Sequence, residues 1–328
     1  MQLPGFAGGQ KAIQTLASLI GGGRLPHAIL LEGPSGCGKR TLARHLAAAI
    51  LCGERNRPCG HCESCEKVYA GHHPDVITIA REEGESSFRI EKIRAMRSDA
   101  FIMPNEASAK VYLLFSVEEM TTAAGNAILK ILEEPPENVY FILTCENKAA
   151  LLGTIVSRVV TITVETPSVP ECLQVLEREC PEVGAEKRRQ VAVLFDGNVG
   201  QAKKALGDEA FQKVFETACQ LLEALLASSE YPFLCALSAF EREKETLARV
   251  LGQMKRLIRQ VLRHKLNAQE GDPQLEQLVA KLSHSLTPGQ LLQAEEALAS
   301  AGEELEQNVN TALLITALSG QLRQAVGR

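Results

Sequence analysis

Cys52, Cys59, Cys62 and Cys65 crowd into one short stretch, separated by six, two and two residues, with Pro58 and Gly60 among them. Proline and glycine favour the tight turns that let neighbouring thiolates converge on a single ion. Four soft sulfur ligands at this spacing suit tetrahedral Zn2+ in a closed, structural site. Ten cysteines could instead form disulfides in an exported chain. The N-terminal run MQLPGFAGGQKAIQTLASLI, however, has no basic region ahead of an apolar core. With no export signal, a reduced chain in the cytoplasm is the expectation, and metal binding is the better use of the cluster. The other six cysteines are scattered through apolar or helical contexts. His61, between two of the cysteines, is expected to face water, and His72 and His73 read as loop residues before a strand. No open coordination position is evident, so the metal is assigned no catalysis.

A second constellation lies just upstream. The apolar run His27–Leu31 leads into Gly33-Pro34-Ser35-Gly36-Cys37-Gly38-Lys39, followed by a helical pattern over Thr41–Ile50. A strand, a glycine-rich turn and a helix N-terminus together make a phosphate cradle. Gly33, Gly36 and Gly38 let backbone N–H groups approach an anion, and Lys39 would reach the outer phosphates. A working loop of this kind needs Ser or Thr directly after the lysine, because that hydroxyl holds Mg2+. Arg40 stands there. The acidic residues that should end the strand Lys110–Leu114 and hold the same metal are also missing, and Phe115 and Ser116 take their place. Glu118 and Glu119 follow too late and belong to the next turn. Two losses at one metal predict a chain that does not turn over ATP with Mg2+.

These residues need a framework. Apolar runs at His27–Leu31, Asp75–Ala80, Lys110–Ser116, Val139–Cys145 and Val159–Val164 alternate with helical patterns, which predicts a parallel α/β sheet covered on both faces. Residues 168–206 read as small helices broken by Pro181, Gly184, Gly197 and Gly200. From about 209 onward the pattern is helical throughout. Leu247, Leu251, Met254, Ile258 and Val261 draw one apolar stripe on a long helix, and Asn267–Pro273 reads as a loop. The expected division is an α/β domain over residues 1–165 with the metal module at 52–66, a small helical lid over 166–208 and an all-helical domain over 209–328. The 328 residues carry 45% hydrophobic side chains and a net charge of −5. A mildly acidic chain does not coat nucleic acid by charge alone. Arg256, Arg259 and Arg263 on the long helix read as a solvated face, and with no Trp a base-stacking surface is not expected. No apolar run is long enough to span a bilayer.

Taken together these features resemble the clamp-loader branch of the AAA+ family. Arg24-Leu25-Pro26-His27-Ala28 looks like that family's approach to its first strand. Residues Asn126 to Pro136 (NAILKILEEPP) match the helix before its fourth core strand, and Phe141 to Asn147 resemble its sensor 1 strand. Ser157-Arg158-Val159 falls where the family carries Ser-Arg-Cys. Gly197 to Lys203 more faintly resemble sensor 2, and the tail Asn308–Leu318 suits a last collar helix. A cysteine cluster after the phosphate-loop helix is also a trait of bacterial loader subunits. The resemblance implies an AAA+ P-loop domain, lid and collar, with a degenerate nucleotide site formed by Gly33, Gly36, Gly38, Lys39, Thr144 and Lys203. It implies Arg158 as an arginine finger offered to a neighbour. It further implies a non-hydrolysing ring member whose partners are gamma/tau and delta subunits, the sliding clamp and, through the complex, primed DNA. The competing readings are an active motor subunit of the same loader and, more distantly, a zinc-dependent DNA-binding adaptor. Against the adaptor, Glu54, Glu63 and Glu66 cancel Arg55, Arg57 and Lys67 around the cysteines.

Overall fold

The computed structural model describes residues 6–81, 88, 90–266, 273–307 and 309–327, and these form two compact units. The first holds residues up to Val175 together with Asn198–Gln201. Its centre is a five-stranded parallel sheet of β1 (Ala28–Glu32), β2 (Val76–Ile79), β3 (Lys110–Leu114), β4 (Val139–Cys145) and β5 (Val160–Thr163), in the order β2-β3-β4-β1-β5. All five expected strands are present, with every end within two residues of the expected one. Helices α1 (Gln10–Gly21), α2 (Lys39–Leu51), α3 (Glu63–Ala70), α4 (Ile90–Asp99), α5 (Thr122–Glu133) and α6 (Gly153–Val156) cover it.

The strands alternate as a sheet buried on both faces must. Ile29, Leu31, Val111, Leu113 and Ile142 join the core with α1, α2 and the cysteine module. Ala28, Leu30, Tyr112, Leu114, Phe141 and Leu143 join the other, with α4 and α5. Because β1 lies between β4 and β5, the sheet's order reverses beside it. A crevice outside the carboxyl ends of the strands opens at such a switch point, and it is where α/β sheets bind ligands. The phosphate loop after β1, Ser116 after β3 and Thr144 near the end of β4 therefore sit side by side.

One determinant of this unit was not read from the sequence. Asp75 is fully buried and accepts hydrogen bonds from the backbone N–H groups of Asn105, Glu106 and Ala107 and from the Asn105 side-chain amide. Burial works to raise its pKa, but the backbone donors outweigh it and hold the carboxyl below its usual range. Its stabilisation is therefore complete above the unfolded carboxyl's pKa and is lost as pH falls through the lower, folded value. Asp75→Ala should lower the unfolding free energy by about 1–3 kcal/mol at neutral pH, by orphaning those donors. The wild type should lose that advantage in acid. Denaturant midpoints across pH check both.

The second unit holds Leu176–Gly197 and residues from Ala202 onward. The small helices α7 (Val169–Glu179), α8 (Ala185–Leu194) and α9 (Val199–Leu206) are separated at Pro181, Gly184 and Gly197 as expected, but Gly200 lies inside the first turn of α9 and breaks nothing, because its N–H is used by the Gly36 carbonyl. Six further helices follow among the described residues: α10 (Phe211–Leu225), α11 (Tyr231–Ser238), α12 (Lys244–Lys265), α13 (Pro273–Ser285), α14 (Pro288–Glu306) and α15 (Thr311–Ala325). The stripe Leu247, Leu251, Met254, Ile258 and Val261 is buried along α12, as its spacing predicts. Thr287 and Gln290 form a capping box at α14, and Asn310 caps α15. The loop expected at Asn267–Pro273 lies outside the described residues except for Pro273, which opens α13, and Asn308 also lies outside them. No helix among the described residues is long and apolar enough to cross a membrane.

Arg259 and Arg263 of the arginine stripe are exposed, as a solvated face requires, and only Arg256 departs from that expectation. The Arg256 guanidinium lies 4.8 Å from the centre of the Phe195 ring and is desolvated there, Arg259 pairs with Glu295 and Arg263 with Asp196. Helical spacing alone could not reveal that α8 and α14 pack alongside and supply the partners. Arg323 is likewise buried, donating to the carbonyls of Leu225, Ala227 and Ser228 beyond the end of α10. It satisfies acceptors that the helix end leaves open.

Candidate functional site

The four cysteines converge as their spacing predicts. The helix α2 ends at Leu51, so Cys52 lies at its C-cap, while Cys62 caps α3 and Cys65 lies in its first turn. All four Sγ atoms lie within 4.8 Å of one another. The Cys59–Cys65 and Cys52–Cys62 separations are 4.0 and 3.9 Å. A tetrahedron with metal–sulfur bonds of about 2.3 Å has edges of about 3.8 Å, so the donor set fits one ion with little adjustment. Cys52 and Cys65 are buried, and Cys59 and Cys62 are half-buried, which leaves no broad opening for a substrate. Burial pushes the Cys65 thiol up, while the backbone N–H of His61 is the first cause lowering Cys59 to about 6. Uncoordinated, the cluster would hold its protons unevenly, and a metal must displace them to bind. His61 is exposed and donates from Nδ1 to the Cys59 carbonyl, outside the sulfur set. His72 and His73 do lie in a loop, but His73 is buried and accepts the Asp75 N–H at Nδ1.

The phosphate loop has a cradle's backbone. Gly36 and Gly38 take φ of +83° and +97°, conformations that suit glycine, and Gly38 caps α2. Lys39 Nζ donates to the carbonyls of Gly33 at 2.6 Å and Pro34 at 2.8 Å, so in this structure the lysine is bound to its own loop. The far side of the loop meets residues 198–200. Asn198 Nδ2 donates to the Ser35 carbonyl at 2.7 Å, and the Gly200 N–H donates to the Gly36 carbonyl at 2.9 Å. A Cβ on Gly36 would fall 2.3 Å from Asn198 Oδ1, so this approach demands glycine. Phe6 contacts the loop at Gly38.

The residues that replace the metal ligands meet one another. Arg40 lies 5.2 Å over the Phe115 ring and its Nη2 is 3.4 Å from Ser116 Oγ. A guanidinium stacked on an aromatic face and hydrogen-bonded at its edge is a stable arrangement, and it engages the Ser116 hydroxyl at this position. Thr144 is buried, and its Oγ1 accepts the Ser116 N–H at 3.0 Å, tying β3 to β4. Glu118, on the turn after β3, accepts the Glu146 N–H at Oε1. Lys203 pairs with Glu179 at 2.5 Å within the second unit. Arg158 follows α6 and is anchored by Glu133, at the end of α5: Nε donates to Oε1 at 2.7 Å and Nη2 pairs with the same oxygen. Nη1 donates to the Thr154 carbonyl and to Ser157 Oγ. One Nη2 hydrogen of the five guanidinium donors is left without a partner among the described residues.

The sheet order, the glycine loop at its switch point and the helical second unit define a P-loop α/β protein of the AAA+ type with altered metal-binding positions. The model of the family described as DNA polymerase III, delta subunit, matches residues 8–168. DNA polymerase III subunit delta′ of Yersinia pestis is 32% identical over 310 residues, covering 90% of this chain and 88% of its own. The delta′ subunit of Pseudomonas aeruginosa is 35% identical over 225 residues, 66% of this chain and 68% of that protein. By contrast, the gamma/tau subunit of Mycobacterium bovis matches at 37% over 153 residues, only 46% of this chain and 26% of its own. The chain belongs to the DNA polymerase III delta′ family, and the match to the Mycobacterium bovis gamma/tau subunit covers less than half of it.

Proposed function

We propose that this chain is the delta-prime subunit of a bacterial replicative clamp loader, a ring member that does not hydrolyse ATP. One observation carries the choice over a motor subunit. The positions that would hold Mg2+ are filled by Arg40, Phe115 and Ser116, and the Arg40 guanidinium contacts both of the others. Losing one metal ligand could be compensated from nearby; here a guanidinium replaces the hydroxyl, and an aromatic ring and a serine replace the carboxylates. Gly33, Gly36, Gly38, Lys39 and Thr144 then form a degenerate nucleotide site, with ATP and Mg2+ not turned over.

The ion suited to the four thiolates is Zn2+, held in a structural site by Cys52, Cys59, Cys62 and Cys65. The α/β domain of residues 1–165 would sit in the ring, the lid of 166–208 would follow it, and the helices of 209–328 would supply the collar. Partners are the gamma/tau and delta subunits, the sliding clamp and primed DNA, in the cytoplasm. Arg158 is the finger offered to a neighbouring ATPase subunit.

The isolated chain should hydrolyse ATP no faster than its Lys39→Ala variant. Mixed with gamma/tau and delta subunits, it should elute with them as one complex on a sizing column. A Mg2+-dependent rate abolished by Lys39→Ala would assign it to the motor class instead. Failure to join the complex would remove the loader function altogether.

A further inference from the structure

Phe101, Ile102 and Met103 are 71%, 62% and 82% exposed, the only consecutive large apolar side chains left in water among the described residues. The loop that carries them is nevertheless held at both ends. Behind it, Ala100 is buried and its N–H donates to the Met96 carbonyl, while the Ile102 N–H donates to Asp99. Ahead of it, the Asp75 carboxylate takes the N–H groups of Asn105, Glu106 and Ala107.

The same segment reaches the cysteine module. Lys67 Nζ donates to both Glu106 carboxylate oxygens, at 2.9 and 2.8 Å, and also pairs with Glu63 at 2.8 Å. Lys67 lies two residues beyond Cys65 on α3. Ala107 and Ala109 share one apolar cluster with Cys59, Cys62, Cys65 and Val68. The helix α3 has only eight residues, too few to be stable alone in water. Its direction therefore depends on its packing against α2, through Val68 and the Tyr69–His45 hydrogen bond, and on what ties Cys62 and Cys65 to Cys52 and Cys59.

From this juxtaposition we propose that the tetrathiolate module is the buttress of the Phe101–Met103 tip: a bound metal orients α3, and α3 holds residues 105–107 through Lys67, Glu106 and the shared apolar contacts. The inference rests on the metal reading given above, and it assigns the metal a task beyond local folding, that of setting the position of an exposed apolar surface. A partly exposed ion pair is weak by itself, so the coupling runs through the pair and the apolar contacts together.

Amide hydrogen exchange on the full chain tests this. In zinc-loaded protein the amides of Asn105, Glu106 and Ala107 should exchange slowly. Chelation should speed them by about tenfold or more while β4 stays protected, because local opening is cheaper than global unfolding. In zinc-loaded Lys67→Met the same three amides should also exchange faster, with metal content unchanged. If chelation unfolds β4 as well, the Lys67→Met comparison decides alone. Equal exchange at residues 105–107 in wild type and Lys67→Met, with metal bound in both, overturns the buttress. Absence of bound metal in protein purified under reducing conditions would instead overturn the metal reading on which it rests.

Discussion

Replacing Arg158 with alanine is expected to leave the chain folded and able to enter the ring, yet to slow ATP hydrolysis at the neighbouring site by as much as roughly 10³–10⁵-fold, the range for a lost arginine finger. Folding should survive because the Arg158–Glu133 pair is partly exposed, and such pairs contribute about 0.2–1 kcal/mol. Catalysis should suffer because a positive charge disappears from the partner's transition state, where fixed charge counts for much more than in water. Glu133, Thr154 and Ser157 hold the guanidinium in one pose with a single N–H unspent, so the finger must use that donor or release Glu133 on docking. Arg158→Lys should rescue only in part, since a point charge on a flexible stem lacks the planar fork that matches phosphate oxygens. Because other interfaces carry their own arginines, the whole-complex rate should fall less than the single-site rate. Clamp- and DNA-stimulated ATPase of complexes differing only at this residue is the measurement. Equal rates with assembly intact would reduce Arg158 to the structural clasp seen between α5 and α6.

Removing the metal should have the largest effect on stability. Structural zinc in small thiolate modules binds with an apparent free energy of about 10–16 kcal/mol at neutral pH, and much of that is folding free energy. One zinc per chain is expected from metal analysis. Cys65→Ser should abolish it and lower the thermal midpoint of the first unit, because Cys65 is fully buried in the core that α2 and α3 share. The pH dependence has a definite sign. Ligation requires thiolates, and burial pushes the Cys65 thiol up, so protons compete with the metal and affinity should fall as pH is lowered. Zinc release followed with a chromogenic chelator from pH 8 down to pH 5 measures this. Protein that holds no zinc, or whose Cys65→Ser variant melts with the wild type, would make the cluster four ordinary thiols.

Much of this molecule could be read from local pattern. The five strands, the phosphate loop, the cysteine ligand set and the stripe of α12 each depend on residue type at short spacing, where backbone geometry leaves few alternatives. The absence of magnesium ligands was legible for the same reason, since Arg40, Phe115 and Ser116 occupy positions that a strand–turn–helix defines by counting. What fills that absence was not legible. The arginine lies over the phenylalanine only because β1 and β3, far apart in sequence, are brought near one another in the sheet. The Asp75 cage, the Asn198 contact with the phosphate loop, the partners of Arg256 and the burial of Arg323 have the same origin. Each joins a polar group to an acceptor, donor or ring dozens of residues away, and no periodicity marks such pairs. Short-range chemistry thus followed from the sequence by itself. The tertiary structure decided where each charged and polar group found its partner, because the cost of burying such a group unpaired is met only once distant segments pack together.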